Sequence, residues 1–431
     1  MMTNIILMGL GMGALLTLFL PFSPMTIDVV NLKRETVLWI YRNRKVFWAV
    51  AILALGGLLL RSGLQTWGAG PAVPGAATWF WATLGCVAVM AMMFWTGYVP
   101  FVMTPPRAGQ ILTADEADKA LKPDSSVLGL VRDGEARAYP RDLIARPHYL
   151  NDKVGGTALT VSYCILCNSG IAMKSEIGGK PMSLHSVTAY NNNIIYRDPE
   201  RDNYIQQLDG EIIAGPDAGK TVETLPLLMT TWDDWKRLHP DTTVYFSPPR
   251  TLRDKMVNRM LMMMIPIEKL ARRTAPWHRI RGTLDPRLPA MSLVLGVEHN
   301  GARCAYPIDR TAKAQVIDDT LGGDPVAVFH DPAHSLASVY DRRVDGTVLT
   351  FTPVTGRTDG VVAQDSATGS LWSIHGAACE GPYKDQQLRE LPHFNKLFWF
   401  SWALFRPGTR VYGADAKGQD KDTAAEAPAG T

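Results

Sequence analysis

The residues best suited to chemistry are two cysteines, Cys164 and Cys167, spaced Cys-x-x-Cys in the run YCILC. Thiols at that spacing serve either as a redox disulfide or as two corners of a metal site. In a thioredoxin-like site the pair opens a helix whose N-terminus lowers the thiol pKa. Here Asn168-Ser169-Gly170 follows and reads as a turn into another strand. Thiol–disulfide exchange is thereby disfavoured, and metal ligation becomes the leading reading. His148, in RPHYLND ahead of the pair, is the candidate third ligand, with Asn151 and Asp152 placed to orient it. Thiolates combined with an imidazole select Zn, Cu(I) or Fe over Mg or Ca.

A second candidate set lies 167 residues further on. At that shift Cys164 falls on Asp331 and Cys167 on His334, with His330 beside them, and each of these residue types can ligate a metal. Were the two loops to face each other, Cys164, Cys167, Asp331 and His334 would converge on one ion. His375 and Cys379 are four apart, but Gly376 and Gly381-Pro382 make that stretch loop or strand, where the two side chains separate. Cys304, Cys86 and the lone His185 read as packing or hydrogen-bonding groups. Asp198 and Asp202 read as a polar turn, because a calcium loop needs denser oxygen ligands. No nucleophile elbow, phosphate loop or dinucleotide glycine pattern stands where its mechanism requires it.

The elements that must position these residues form a repeat. Shifted by 167, Val127-Leu128-Gly129 falls on Val294-Leu295-Gly296, Ala138-Tyr139-Pro140 on Ala305-Tyr306-Pro307, and Gly155-Gly156 on Gly322-Gly323. The same shift later places Trp232 on Trp399, Trp235 on Trp402 and Thr242 on Thr409. Such self-similarity predicts a tandem duplication, with halves at 110–248 and 294–413 related by a pseudo-twofold axis. Each half reads as β-rich α+β. VLGLVRDGEARAYP alternates around Asp-Gly and VLGVEHNGARCAYP around Asn-Gly, the strongest short hairpin signals. TALTVSY and IIYRD are strand-like, and TTWDDWKRLHP predicts one short helix capped by Thr230 or Thr231.

Residues 1–103 have a different composition. Stretches at 5–22 and 79–103 carry no charge over lengths near the ~20 residues of a membrane-spanning helix, and 46–60, extended towards Trp67, is a third. The loop between the first two stretches holds Lys33, Arg34, Arg42, Arg44 and Lys45, while residues 62–77 hold no base. Bases retained on the cytoplasmic side would then place the halves in the cytoplasm. The chain as a whole is nearly neutral, with 44 Lys+Arg against 41 Asp+Glu. Its excess lies in the apolar N-terminal region rather than on the folded halves, which argues against a nucleic-acid partner. Five cysteines in 431 residues are also too few for a secreted disulfide scaffold.

The connector at 249–293 is locally basic: residues 250–281 hold nine bases against Asp254 and Glu268. Within it Met256, Val257, Met260, Leu261, Met263 and Met264 fall at helical spacing until Pro266. A basic helix with a soft Met face suits anionic lipid or a partner helix. Residues 414–431 lack large apolar side chains and predict a disordered tail.

Taken in order, AYPRDLIARPHYLND, VSYCILCNSG, LDGEIIAGPDAGKTVETLP, TTWDDWKRLHP and TGSLWSIHGAACEGP resemble a large bacterial and archaeal family known only as a domain of unknown function, marked by a YC-P-L-C core and a TGS-x-W stretch. The resemblance spans roughly 110–413. Ile165 stands where the family usually has Pro, and Tyr204 to Gln207 where it usually has a Ser-x-Trp-Ser-like run. It implies no activity, and it implies exported or membrane-anchored proteins, with the halves outside the cytoplasm. Together these readings predict an integral protein of a bacterial inner membrane. Its function would be metal-binding or redox at the cysteine pair, and the alternative is a non-catalytic tethered binding or scaffold module with buried cysteines.

Overall fold

The chain begins with three helices that have almost nothing to offer water. α1 (Met2–Phe19), α2 (Arg44–Trp67) and α3 (Ala76–Gly97) are each long and apolar enough to cross a membrane. Two of the expected stretches are interrupted by proline. Pro21 falls in a single 3-10 turn, Leu20–Phe22, and Pro100 lies in a separate short helix, Val99–Val102, that starts after Tyr98 leaves helical geometry. A proline ring cannot donate the next helical bond and clashes with the preceding turn. The middle helix runs through Arg61 to Trp67, whose ring meets Phe80 edge-on.

This computed structural model describes residues 1–68, 73–103, 109–264, 272–334 and 336–414. The expected stop at Pro266 and the tail from 415 onward lie outside the described residues. The chain divides into two compact units, Met1–Thr283 and Leu284–Thr431.

In the first unit β1 (Ser126–Arg132) and β2 (Glu135–Pro140) form the expected hairpin. Asp133 and Gly134 both take positive φ, 48° and 79°, as a tight type I′ turn requires. The hairpin belongs to a five-stranded sheet with Gln110–Thr113, Leu228–Thr231 and Thr243–Phe246. β3 (Tyr149–Val154), β4 (Thr157–Cys164) and β5 (Ser169–Lys174) build a second sheet. β6 (His185–Tyr190), β7 (Asn193–Asp198) and β8 (Asn203–Gln206) build a third. α4 (Trp232–Leu238) starts at Thr231, whose hydroxyl accepts from the Asp234 N–H at 3.2 Å. It buries Trp232 and Trp235, and the Trp235 ring lies so close over Gly129 that a Cβ there would overlap it.

The apolar helices and these sheets share one interior. Leu18 and Phe22, with Val37 and Tyr41 of the helix Arg34–Arg42, are buried in the same cluster as Val187, Ile195 and Tyr204. The Thr188 hydroxyl donates to the Pro21 carbonyl at 2.9 Å, and Arg42 ion-pairs with Asp202 at 3.4 Å. α5 (Leu252–Met264) follows the sheets.

The second unit repeats the pairing at the shift of 167. β9 (Leu293–His299) and β10 (Ala302–Pro307) turn through Asn300 and Gly301 at φ 48° and 77°, with Val294 opposite Pro307 as Val127 is opposite Pro140. β11 (Val316–Leu321), β12 (Asp324–Asp331) and β13 (Leu336–Asp341) follow in the order of β3, β4 and β5. Tyr139 donates to Asp152 and Tyr306 to Asp319, each at 2.9 Å. The Trp235 indole N–H donates to Thr242 at 2.8 Å and that of Trp402, in α6 (Trp399–Phe405), to Thr409 at 2.9 Å. The Trp402 ring also covers Gly296.

Gly129→Ala and Gly296→Ala should each cost about 1–3 kcal/mol, because the ring or the strand must move to admit one methyl group. A thermal melt of the purified protein would register this as a lowered midpoint, whereas Gly85→Ala, with open space around the added Cβ, should leave the midpoint unchanged or higher. Equal midpoints for all three variants would mean that the Trp-on-Gly contacts carry no strain.

Candidate functional site

The thiol pair sits where the β4–β5 hairpin turns. The ladder closes at Cys164 opposite Ser169, and Ile165 to Asn168 make the turn. Asn168 accepts the positive φ of 56° that closes it, and its side-chain carbonyl takes the Tyr163 hydroxyl at 2.8 Å. The pair is therefore on a hairpin, not at a helix N-terminus, and both cysteines are buried as free thiols. The Cys164 Sγ donates to the Asn192 carbonyl at 3.4 Å. Burial pushes the Cys164 thiol well above its ordinary pKa, and the neighbouring Cys167 adds to the shift. It is a neutral thiol at pH 7, with no thiolate ready for exchange.

Around Cys167 lies a set of buried amides and hydroxyls. The Asn193 Nδ2 donates to its sulfur at 3.3 Å, and Ser169 Oγ lies 3.0 Å from it. Gln207 Oε1 accepts from Ser169 at 2.9 Å and from Asn193 at 2.7 Å, while Gln206 Nε2 donates to Asn193 Oδ1 at 2.6 Å. Asn193, Gln206 and Gln207 are each at most 1 % exposed, so these bonds replace water that cannot reach them. Next to them Asn192 exchanges two bonds with the backbone of His278, at 2.8 and 2.9 Å. The His278 Nδ1 faces Asp28 at 3.2 Å, and burial holds that imidazole below its usual pKa.

His148 is placed beside this hairpin rather than in it. It has φ 76°, its carbonyl accepts from the Tyr163 N–H and the Tyr196 hydroxyl at 3.0 Å each, and its Nδ1 is bonded to the Ala145 carbonyl. Burial lowers its pKa to about 4, so the ring is neutral at pH 7. In the second unit Asp331 and His334 bond each other at 2.5 Å, and His330 bonds Thr311 at 2.8 Å. Among the described residues no three or more His, Cys, Asp or Glu gather to hold a metal ion. Of the expected ligands, His148 Nδ1 is bonded to the Ala145 carbonyl and His334 Nδ1 to Asp331, each a neighbour three residues away in the chain.

The remaining candidates are spread out. Cys304 is buried in an apolar cluster, with its thiol pushed up to about 12, as befits a small hydrophobe. Cys379 is exposed, Cys86 lies in α3, and His185 is an exposed strand residue. Asp198 pairs with Arg201 at 2.9 Å and Asp202 with Arg197 at 2.7 Å, which is a polar turn. Reading the sequence for nucleophiles and ligands missed Asn192, Asn193, Gln206 and Gln207. The available signal was the pair of polar runs, Asn191-Asn192-Asn193 and Gln206-Gln207, set against otherwise apolar strand residues.

Three helices of membrane length, followed by α+β architecture with a buried thiol hairpin, define the class of protein. Residues 99–409 match the family described as Protein of unknown function (DUF3179), and the chain belongs to that family. No curated protein and no solved structure matches the chain significantly.

Alkylation of the native protein at pH 8 should modify Cys379 first and leave Cys164 and Cys167 unmodified until the fold opens. Mass mapping of the labelled peptides against time measures this. Rapid labelling of either buried thiol would reveal a reactive site.

Proposed function

We propose that the chain is a membrane-anchored protein built on a duplicated β-rich unit, and that Cys164 and Cys167 form a buried site for one soft metal ion. The observation that carries the metal reading is the turn itself: it sets two free, buried thiols three residues apart, and the Asn193 Nδ2 donates to the Cys167 sulfur at 3.3 Å. Such a donor stabilises a thiolate far better than a thiol. A cation would supply the charge that the dry interior withholds, and binding would release the thiol protons. Two buried sulfurs favour Cu(I), which thiolates select and which is content with two ligands. Zn or Fe would require further donors. The amides of Asn193 and Gln207 would orient the second sulfur.

The alternative, a tethered binding or scaffold module with structural cysteines, draws on the same burial, because both thiols already have hydrogen-bond partners. Metal analysis of the full chain, purified in detergent under reducing conditions, separates the two. Close to one Cu per chain, lost in Cys164→Ser and in Cys167→Ser while the melting profile persists, is expected. Wild-type protein without Cu, Zn or Fe, and taking up none on reconstitution, would leave the scaffold reading.

The duplication is supported by the matched registers and by the paired Tyr–Asp and Trp–Thr bonds. A location in a bacterial inner membrane is supported by α1, α2 and α3. The basic loop and the first β half meet at the same end of these helices, through Arg42 and Asp202. By the retention of bases that end is cytoplasmic. A variant keeping only Cys379 should therefore resist a membrane-impermeant maleimide in intact cells and react after permeabilisation. Labelling of intact cells would instead put the halves outside, as the family resemblance implies.

A further inference from the structure

Between the three apolar helices lies a cavity of about 530 Å³, lined by Leu15 of α1, Trp48 and Leu55 of α2, Phe94 and Trp95 of α3, and Phe101 beyond it. It is apolar throughout, and it lies towards the end of the helices where the sheets attach. α5 is fastened at that end. Arg253 Nη2 donates to the Phe101 carbonyl at 3.0 Å, and its guanidinium stands 5.9 Å from the Trp95 ring centroid. Asp254 binds Arg146 at 3.0 Å, and Arg146 in turn donates to the Val102 carbonyl at 2.9 Å. Two of the residues that line the cavity are thus the two that Arg253 touches, and its Nε is buried with no hydrogen-bond partner among the described residues.

α5 is apolar on more than its inner side. Val257 is buried against the protein, yet Leu252, Met256 and Met263 are 74 %, 51 % and 72 % exposed and share one outward stripe at helical spacing. Lys255 and Arg259 flank that stripe and are exposed. A helix that presents apolar residues away from its own protein, bordered by bases, has the pattern of one lying in the headgroup region of a bilayer.

We infer that the cavity and α5 form one site for an anionic membrane lipid. An acyl chain would fill the space between Leu55, Phe94 and Phe101, the headgroup phosphate would sit at Arg253, and Leu252, Met256 and Met263 would lie at the boundary between headgroups and tails. Charge complementarity selects the occupant: the cavity is lined by apolar side chains, and its mouth offers a guanidinium with one N–H unpaired among the described residues. This inference rests on the membrane reading given above.

Native mass spectrometry of the full chain, released from nanodiscs containing equal phosphatidylglycerol and phosphatidylcholine, tests it. The wild type should retain one phosphatidylglycerol in preference. Arg253→Gln should reduce that preference by about fivefold, the worth of one base at an anionic surface, and Arg253→Lys should keep most of it. Ala91→Leu, which narrows the cavity from its wall, should lower retention of both lipids. Equal retention of the two lipids by the wild type, an unchanged preference in Arg253→Gln, or a second polypeptide held in place of lipid would each overturn the site. Extraction of the wild type from membranes by alkaline carbonate would instead overturn the membrane reading, so the two failures are told apart.

Discussion

The interior of the first β half depends on Asn193. Its amide donates to Cys167 and to Gln207, and its carbonyl accepts from Gln206 and from the Leu208 N–H at 3.2 Å. These partners are in the turn before β5, on β8 and in the segment after β8, so one fully buried side chain ties the thiol hairpin of the second sheet to the strands of the third. In a medium that cannot solvate an amide, each of these groups would be costly without the others. The constraint is mutual: the hairpin turn has to place Cys167 where Asn193 can reach it, and the strands have to bring two consecutive glutamines inward.

The same strands also meet the apolar helices. Tyr204 of β8 faces Tyr41 edge-on with centroids 6.2 Å apart, and the Arg42 guanidinium lies 4.8 Å from the Tyr204 ring centroid. A flexible tether would leave such residues in water. Here Phe22, Tyr41, Val187, Ile195 and Tyr204 are buried together, so the helices and the first β half form one cooperative interior. Any movement of the helices therefore bears on the strands that hold the thiol hairpin.

The two units share hairpin registers and side-chain bonds while differing in the residues at their hairpin tips. Gly129 and Gly296 both lie under a tryptophan, and each Tyr–Asp bond links corresponding strands. The residues at the hairpin tips differ. Where the first unit has Cys164 bonded to the Asn192 carbonyl and Cys167 to the Asn193 amide, the second has Asp331 and His334 bonded to each other. A frame fixed by aromatic packing and tight turns leaves the tips free to vary.

The sequence by itself determined the three apolar helices, because an uncharged run of membrane length leaves few alternatives. It also determined the Asp-Gly and Asn-Gly hairpins, the short helix after Thr230-Thr231 with its buried tryptophans, and the strand into which the cysteine turn leads, since each depends on neighbours a few residues apart. Only the tertiary structure decided what surrounds the thiols. Asn193 and Gln207 are distant from Cys167 in the chain, amides carry no ligand signature, and their inward orientation follows from how the second and third sheets meet. The same holds for His148: its type and position nominate it as a ligand, but burial and the Ala145 carbonyl commit it to the backbone beside the hairpin. Local spacing reveals which groups can react, whereas long-range packing decides which of them meet, because burial and partnership arise between elements that the chain order keeps apart.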